Sequence, residues 1–122
     1  MPEIDLGRQR SVVEAFLAAS RGGDLEGLLA VLDPDVVVRA DGAAVKLGSA
    51  PEMRGADAVA RSFKGRARNA QVALVDGAPG VVVAPHGKLL LVLRANIANG
   101  RIVEVEAIAD PQRLAELELA VL

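Results

Sequence analysis

A chain of 122 residues with a net charge of -2, 52% hydrophobic but only 2% aromatic residues and no cysteine rules against several classes at once. Its size suits one domain burying about two thirds of its unfolded surface, and without a basic face or an aromatic platform it is not expected to bind nucleic acid directly. With His86 as its single imidazole and no thiolate, neither a metal nor a cofactor is expected, and no stretch approaches the roughly 20 apolar residues of a membrane span, which together with the missing cysteines fits a cytoplasmic protein.

Residues 1–7 read as a leader or linker and 8–122 as one domain. The first helix places Val12, Val13, Phe16 and Leu17 on one face and stops at Gly22-Gly23. Asp24 caps a second helix, DLEGLLAVL, which ends at Asp33-Pro34-Asp35 because the residue before proline avoids the helical region. VVVRAD, 36–41, is a β-branched strand that turns at Asp41-Gly42 into a second strand, AAVKL. A third short helix, ADAVARSFKGRA, precedes a run of strands: AQVALV, GVVVAP, KLLLVLRANIA and RIVEVEAIA, with turns at Asp76-Gly77, His86-Gly87 and Asn99-Gly100. Asp110 and Pro111 then open a terminal amphipathic helix running to Leu122, with Leu114, Leu117 and Val121 at helical spacing and Arg113 and Glu116 facing outward. So short a helix is marginal alone in water, so its apolar positions are expected to dock on the sheet edge or on a second subunit.

This order predicts an α+β fold: a cone-shaped, curved antiparallel sheet wrapped around the N-terminal helices. A two-residue Asn-Gly loop sets Ala98 against Arg101 and fixes the last hairpin's register. Val92, Arg94 and Asn96 then share the face toward the helices with Val103, Val105 and Ala107, while Leu91, Leu93 and Ile97 share the opposite face with Ile102, Glu104, Glu106 and Ile108. The first face, with Val38 and Ala40, supplies the candidate lining of a mainly aliphatic cavity: Val38, Ala40, Val92, Arg94, Val103 and Val105. There Arg94 needs a carboxylate, a carbonyl or an anionic ligand, because a buried unpaired guanidinium costs several kcal/mol. The second face, an apolar patch edged by two carboxylates, is the candidate interface: Leu91, Leu93, Ile97, Ile102, Glu104, Glu106 and Ile108. Asp41 reads first as a turn residue bonding its own backbone, with a catalytic base as the other reading. His86 reads as a surface residue, and the basic run from Arg61 to Arg68 as solvated cations at a helix C-terminus.

The stretches VVEAFLAASRGGDLEGLLAVLDPDVVVRADG, EMRGADAVARSF and GRIVEVEAIADPQRL resemble the SnoaL-like branch of the nuclear transport factor 2-like fold, and more narrowly the C-terminal SnoaL-like domain of certain actinobacterial extracytoplasmic-function RNA polymerase sigma factors. Two motifs of those domains, an Asp-Gly-Gly-Gly-Lys turn and an Asn-Pro-Asp-Lys-Leu segment, correspond here to Asp41-Gly42-Ala43-Ala44-Val45 with Lys46 one place late, and to Asp110-Pro111-Gln112-Arg113-Leu114. The resemblance implies regulatory roles for Asp41, Gly42, Asp110, Pro111, Arg113 and Leu114. It also implies a partner in the sigma core in cis and, through it, RNA polymerase, with a second copy or a small apolar ligand as further partners. The fold also hosts ketosteroid isomerases and polyketide cyclases, which move a proton with a carboxylate. Here Ala40 and Val92 stand where the resemblance places the isomerase base and oxyanion acid, and there is no tyrosine. A regulatory, ligand-sensing accessory domain is therefore expected over a stand-alone cyclase or isomerase, although fold alone never settles function.

Overall fold

The computed structural model describes residues 5–66 and 68–121. Helix α1, Leu6–Gly22, begins two residues earlier than the sequence suggests because Asp5 caps it, accepting from the Arg8 N–H, and it ends at Gly23. Asp24 caps α2, Leu25–Val31, by accepting from the Gly27 N–H. The chain then enters β1, Leu32–Ala40, and α4, Ala56–Phe63, follows a short edge strand β2, Glu52–Arg54, inside the segment read as breaker-rich loop. Strands β3, Ala70–Val75, and β4, Ala78–Val83, join at Asp76-Gly77, both at positive φ as a primed hairpin turn requires. Strands β5, Leu91–Ala98, and β6, Arg101–Ile108, join the same way at Asn99-Gly100.

Two elements differ from the sequence reading. AAVKL is not a strand: Gly42–Lys46 form a short helix, α3, because the Asp41 carboxylate caps it at the Ala44 N–H and the alanines favour helix. The terminal helix is also shorter: α5 covers Pro111–Glu116, Leu117 turns extended, and Leu119–Val121 form β7 on the β3 edge. The strand wins over the expected last helical turn because it pairs backbone groups that an open sheet edge would leave exposed.

The seven strands form one curved, unclosed sheet in the order β2-β1-β6-β5-β4-β3-β7. Every pairing is antiparallel except β1 with β6, which run parallel because the helices and the β2–β5 meander lie between them in the chain. Val13, Phe16 and Leu17 of α1, Leu28 of α2 and Val59 and Ala60 of α4 are buried against Val36, Val38, Val81, Leu93, Ile97, Ile102, Val105 and Ala107 of the inner face.

The last hairpin begins in the expected register, with Ala98 opposite Arg101 and Ile97 opposite Ile102. The pairing then slips, and Asn96 faces Glu104, leaving Val103 as a bulge. Because side chains alternate, one extra residue moves the rest of β6 to the other side. Leu93, Ile97 and Ile102 therefore join the inner core with Val105 and Ala107, while Val92, Arg94 and Asn96 share the outer face with Glu104, Glu106 and Ile108.

Candidate functional site

Between the inner face and the helices lies a cavity of about 260 Å³. Phe16, Leu17 and Ser20 of α1 form one wall, Val38, Val81, Leu91, Leu93 and Ala107 the sheet wall, and Leu47 to Ala50, Met53 and Phe63 its flank. Phe16 and Phe63 meet edge to face, with ring centroids 5.1 Å apart. Ser20 sits seven residues after Val13 on the buried stripe of α1 and is 1% exposed. Its Oγ has no hydrogen-bond partner among the described residues. Leu47 and Leu90, also in the lining, are 54% and 42% exposed, so an apolar rim meets solvent there. The other polar groups of the lining are Ser49, Ser62 and Arg66; among the described residues no carboxylate, imidazole or phenol belongs to it.

The outer face is built from charges. Across the strands run Glu52, Arg39, Glu106 and Arg94 in one row, with Asn96 and Glu104 in the next. Arg39 bonds Glu104 and lies 3.4 Å from Glu52, Asn96 donates to Glu104 at 2.7 Å, and Arg94 bonds Asp76. A hydrogen bond from Arg54 holds the Glu52 carboxyl below its ordinary pKa.

Over this face passes the C-terminal segment, which leaves β6 at Ala109 and must cross β5, β4 and β3 to pair with the free edge of β3. Arg113 of α5 donates to Glu106 at 2.8 Å, and Asp76 accepts from the Glu118 N–H at 2.8 Å while its own N–H donates to the Glu118 carbonyl. The crossing accounts for the burial of Val92 and Ile108, which face each other on this side.

The start of this strap is fastened by Asp41. Its side chain is 11% exposed and accepts from the N–H groups of Ala44, Ala109 and Asp110, with Arg113 at 3.7 Å. Burial is the largest single influence and opposes ionisation, yet the hydrogen bonds from Ala44, Asp110 and Ala109 and the Arg113 charge together outweigh it, so the carboxyl titrates below its ordinary value. Asp41 also begins α3, whose continuation from Leu47 to Ala50 lines the cavity. Cavity, α3 and strap are thus physically contiguous through one carboxylate.

Among solved structures, the chain is similar to the extracytoplasmic function sigma factor SigJ of Mycobacterium tuberculosis, at 25% identity and a TM-score of 0.67 over 88% of this chain and 44% of that one. It is similar also to an NTF2-like protein of unknown function from Cytophaga hutchinsonii, at 15% identity and a TM-score of 0.55 over 88% and 95% of the two chains. A proposed ketosteroid isomerase from Kribbella flavida aligns at 16% identity and a TM-score of 0.58 over 86% and 79%. The fold is NTF2-like. This chain spans less than half the length of SigJ. No protein-family model and no curated protein matches its sequence.

Within this NTF2-like cone the residues singled out from sequence divide. Of the expected cavity lining, Val38 faces the cavity, Ala40 and Val105 pack in the inner core, and Val103 is the bulge. Val92 and Arg94 lie on the outer face instead, so Arg94 finds its carboxylate in Asp76 across the surface, and the correspondence of Val92 with an oxyanion acid fails. Of the expected interface, Leu93, Ile97 and Ile102 are core, Leu91 lines the cavity, and Ile108 is buried; Glu104 and Glu106 alone remain on an accessible outer surface. Asp41 is a helix cap and strap anchor rather than a hairpin turn. The two sequence motifs come together: Asp41 and Gly42 stand beside Asp110, Pro111 and Arg113, although Arg113 turns onto Glu106 and not outward. Leu114 is half-buried on α5, and the side chain of Val121 lies outside the described residues. His86 is exposed in a turn. Among the described residues no group of three or more acidic or histidine side chains is placed to hold a metal ion, and no helix is long and apolar enough to cross a membrane.

Proposed function

We propose that this chain is the regulatory accessory domain of an RNA polymerase sigma factor, in which the cavity senses a small apolar ligand and the strap transmits its state to the sigma core. The observation that carries this reading is the likeness to SigJ: at 25% identity and a TM-score of 0.67, this chain aligns with less than half of a sigma factor. The makeup of the cavity supports binding over proton-transfer catalysis, because its polar liners are three serines and one arginine. In this reading the ligand acts on Leu47 to Ala50, α3 carries the displacement to Asp41, and Asp41 sets how firmly Ala109 and Asp110 are held. The partners are then the sigma core in cis and RNA polymerase through it, with a second copy of the cone as the further partner that the outer Glu104 and Glu106 would meet.

The test begins with the genomic reading frame upstream of residue 1, where an in-frame sigma core is expected. The full protein, its Asp41→Ala variant and a form ending before residue 1 are then compared in transcription with purified core polymerase. Promoter output should change both on removal of this domain and on loosening the strap. An independent start codon with no sigma core, or identical output from all three proteins, would falsify the reading.

A further inference from the structure

An unpartnered hydroxyl at 1% exposure is costly, of the order of a lost hydrogen bond, and buried polar groups are nearly always satisfied. Ser20 carries that hydroxyl on the wall of the cavity, and Leu47 and Leu90 expose apolar surface on the same cavity's lining. These two departures from ordinary burial, a polar group inside and apolar groups outside, point at the same space. At about 260 Å³ that space lies just below the usual range of about 300–1,000 Å³ for ligand pockets, which sets the occupant below drug size.

We propose that the cavity takes a small aliphatic molecule bearing one uncharged oxygen, a ketone or an alcohol, whose oxygen hydrogen-bonds to Ser20 Oγ. This rests on the reading of the chain as a ligand-binding domain and names the ligand's chemistry. A carboxylate or ammonium is disfavoured because Ser20 is neutral and the one charged liner, Arg66, is exposed, so an ion beside Ser20 would be desolvated without a counter-charge. A hydrocarbon fits the walls but leaves the hydroxyl unpaired. A serine hydroxyl both donates and accepts, so ketone and alcohol satisfy it alike.

The experiment titrates the 122-residue chain with cyclohexanone and, separately, cyclohexane, following backbone amide shifts by NMR, and repeats both with Ser20→Ala. Shifts should centre on Ser20, Leu47 and Leu91. The preference for ketone over hydrocarbon should fall about fivefold to tenfold in Ser20→Ala, the size of one neutral hydrogen bond. Because comparing two ligands in two proteins cancels the ketone's own desolvation, an unchanged preference overturns the proposal, as do shifts that cluster away from the cavity. Should Ser20→Ala not fold, the infrared carbonyl stretch of cyclohexanone bound to the unaltered chain decides: a lowered frequency relative to hexane solution is expected, and an unshifted band overturns the assignment. The assay contains neither sigma core nor polymerase, so its failure leaves the transcription result standing, and failure of the transcription test leaves this one intact.

Discussion

On its inner side the sheet buries Val36, Val38, Val105 and Ala107 under three helices, whereas its outer side carries Arg39, Arg94, Glu104 and Glu106 in cross-strand pairs. Aliphatic packing is non-directional, so the inner side holds its shape through close-packed volume rather than through particular bonds. Hydrogen bonds to charged groups are directional, and the outer side uses a few of them to place one segment: Asp41 at the start of the strap, Glu106 in its middle and Asp76 at its end. The inner side therefore sets stability, and the outer side sets where the C-terminal segment lies.

The largest expected effect belongs to the inner side. Ile102, at 1% exposure, packs in the core beside the β6 bulge, so Ile102→Ala should cost about 2–5 kcal/mol in urea unfolding. A loss below about 1 kcal/mol would place Ile102 on the surface and restore the uninterrupted hairpin register.

Asp41→Ala comes next, at about 2–3 kcal/mol, because it removes a helix cap and strands the N–H groups of Ala109 and Asp110. Its pH dependence sharpens the attribution. A carboxyl whose folded pKa is depressed adds stability above its unfolded value of about 3.9 and loses it as pH falls through the folded value. Asp41→Asn, which keeps an acceptor but not the charge, should be less stable than the parent at pH 7 and match it well below pH 4. A gap that persists in strong acid would show that shape, not charge, is what the anchor supplies.

Gly80 tests the outer side without touching a charge. A Cβ there would lie 2.7 Å from the Leu93 carbonyl oxygen and 2.9 Å from a Val75 methyl. Gly80→Ala should therefore cost about 1–3 kcal/mol and disturb the β4–β5 pairing, visible as faster amide exchange at Val82 and Val92. An unaltered exchange pattern would mean that the two strands lie farther apart than their register requires.

Much of the cone was legible from punctuation. Asp24, Gly22-Gly23, Asp76-Gly77 and Asn99-Gly100 mark caps and turns by local chemistry, and the structure has elements ending where they stand. The bulge at Val103 was not legible, because RIVEVEAIA alternates without a break and offers valine or isoleucine to both faces, so nothing local chooses the register. That single slip moved Val92 and Arg94 from the expected lining to the outer side, and Leu93, Ile97 and Ile102 from the expected interface into the core. The α3 cap did leave a signal, an aspartate three residues before an alanine in an Ala-Ala run, which the β-branched Val45 obscured. Ser20 left another, a hydroxyl falling seven residues after Val13 on an otherwise apolar stripe. The strap's path depends on contacts between Asp41 and residues 68 and 69 positions away, which no local pattern encodes.

The smallest expected effect distinguishes anchoring charges from ornamental ones. Arg39 has 50% of its side chain exposed and pairs with Glu52 and Glu104, neither of which touches the strap. Exposed pairs of this kind contribute about 0–1 kcal/mol, since water and salt screen them and two long side chains must be immobilised. Arg39→Ala should accordingly change stability by less than about 1 kcal/mol, with a difference that shrinks further on raising salt from 0.05 M to about 0.5 M. Arg113→Ala, at similar exposure but bonded to Glu106 and near Asp41, should also cost little in global unfolding, because strap opening is local. Its signature is different: faster amide exchange at Ala109, Asp110 and Leu114 and an unchanged core. If both variants leave exchange in the strap untouched, the outer charges hold nothing in place, and the strap is kept by β7 pairing on the β3 edge alone.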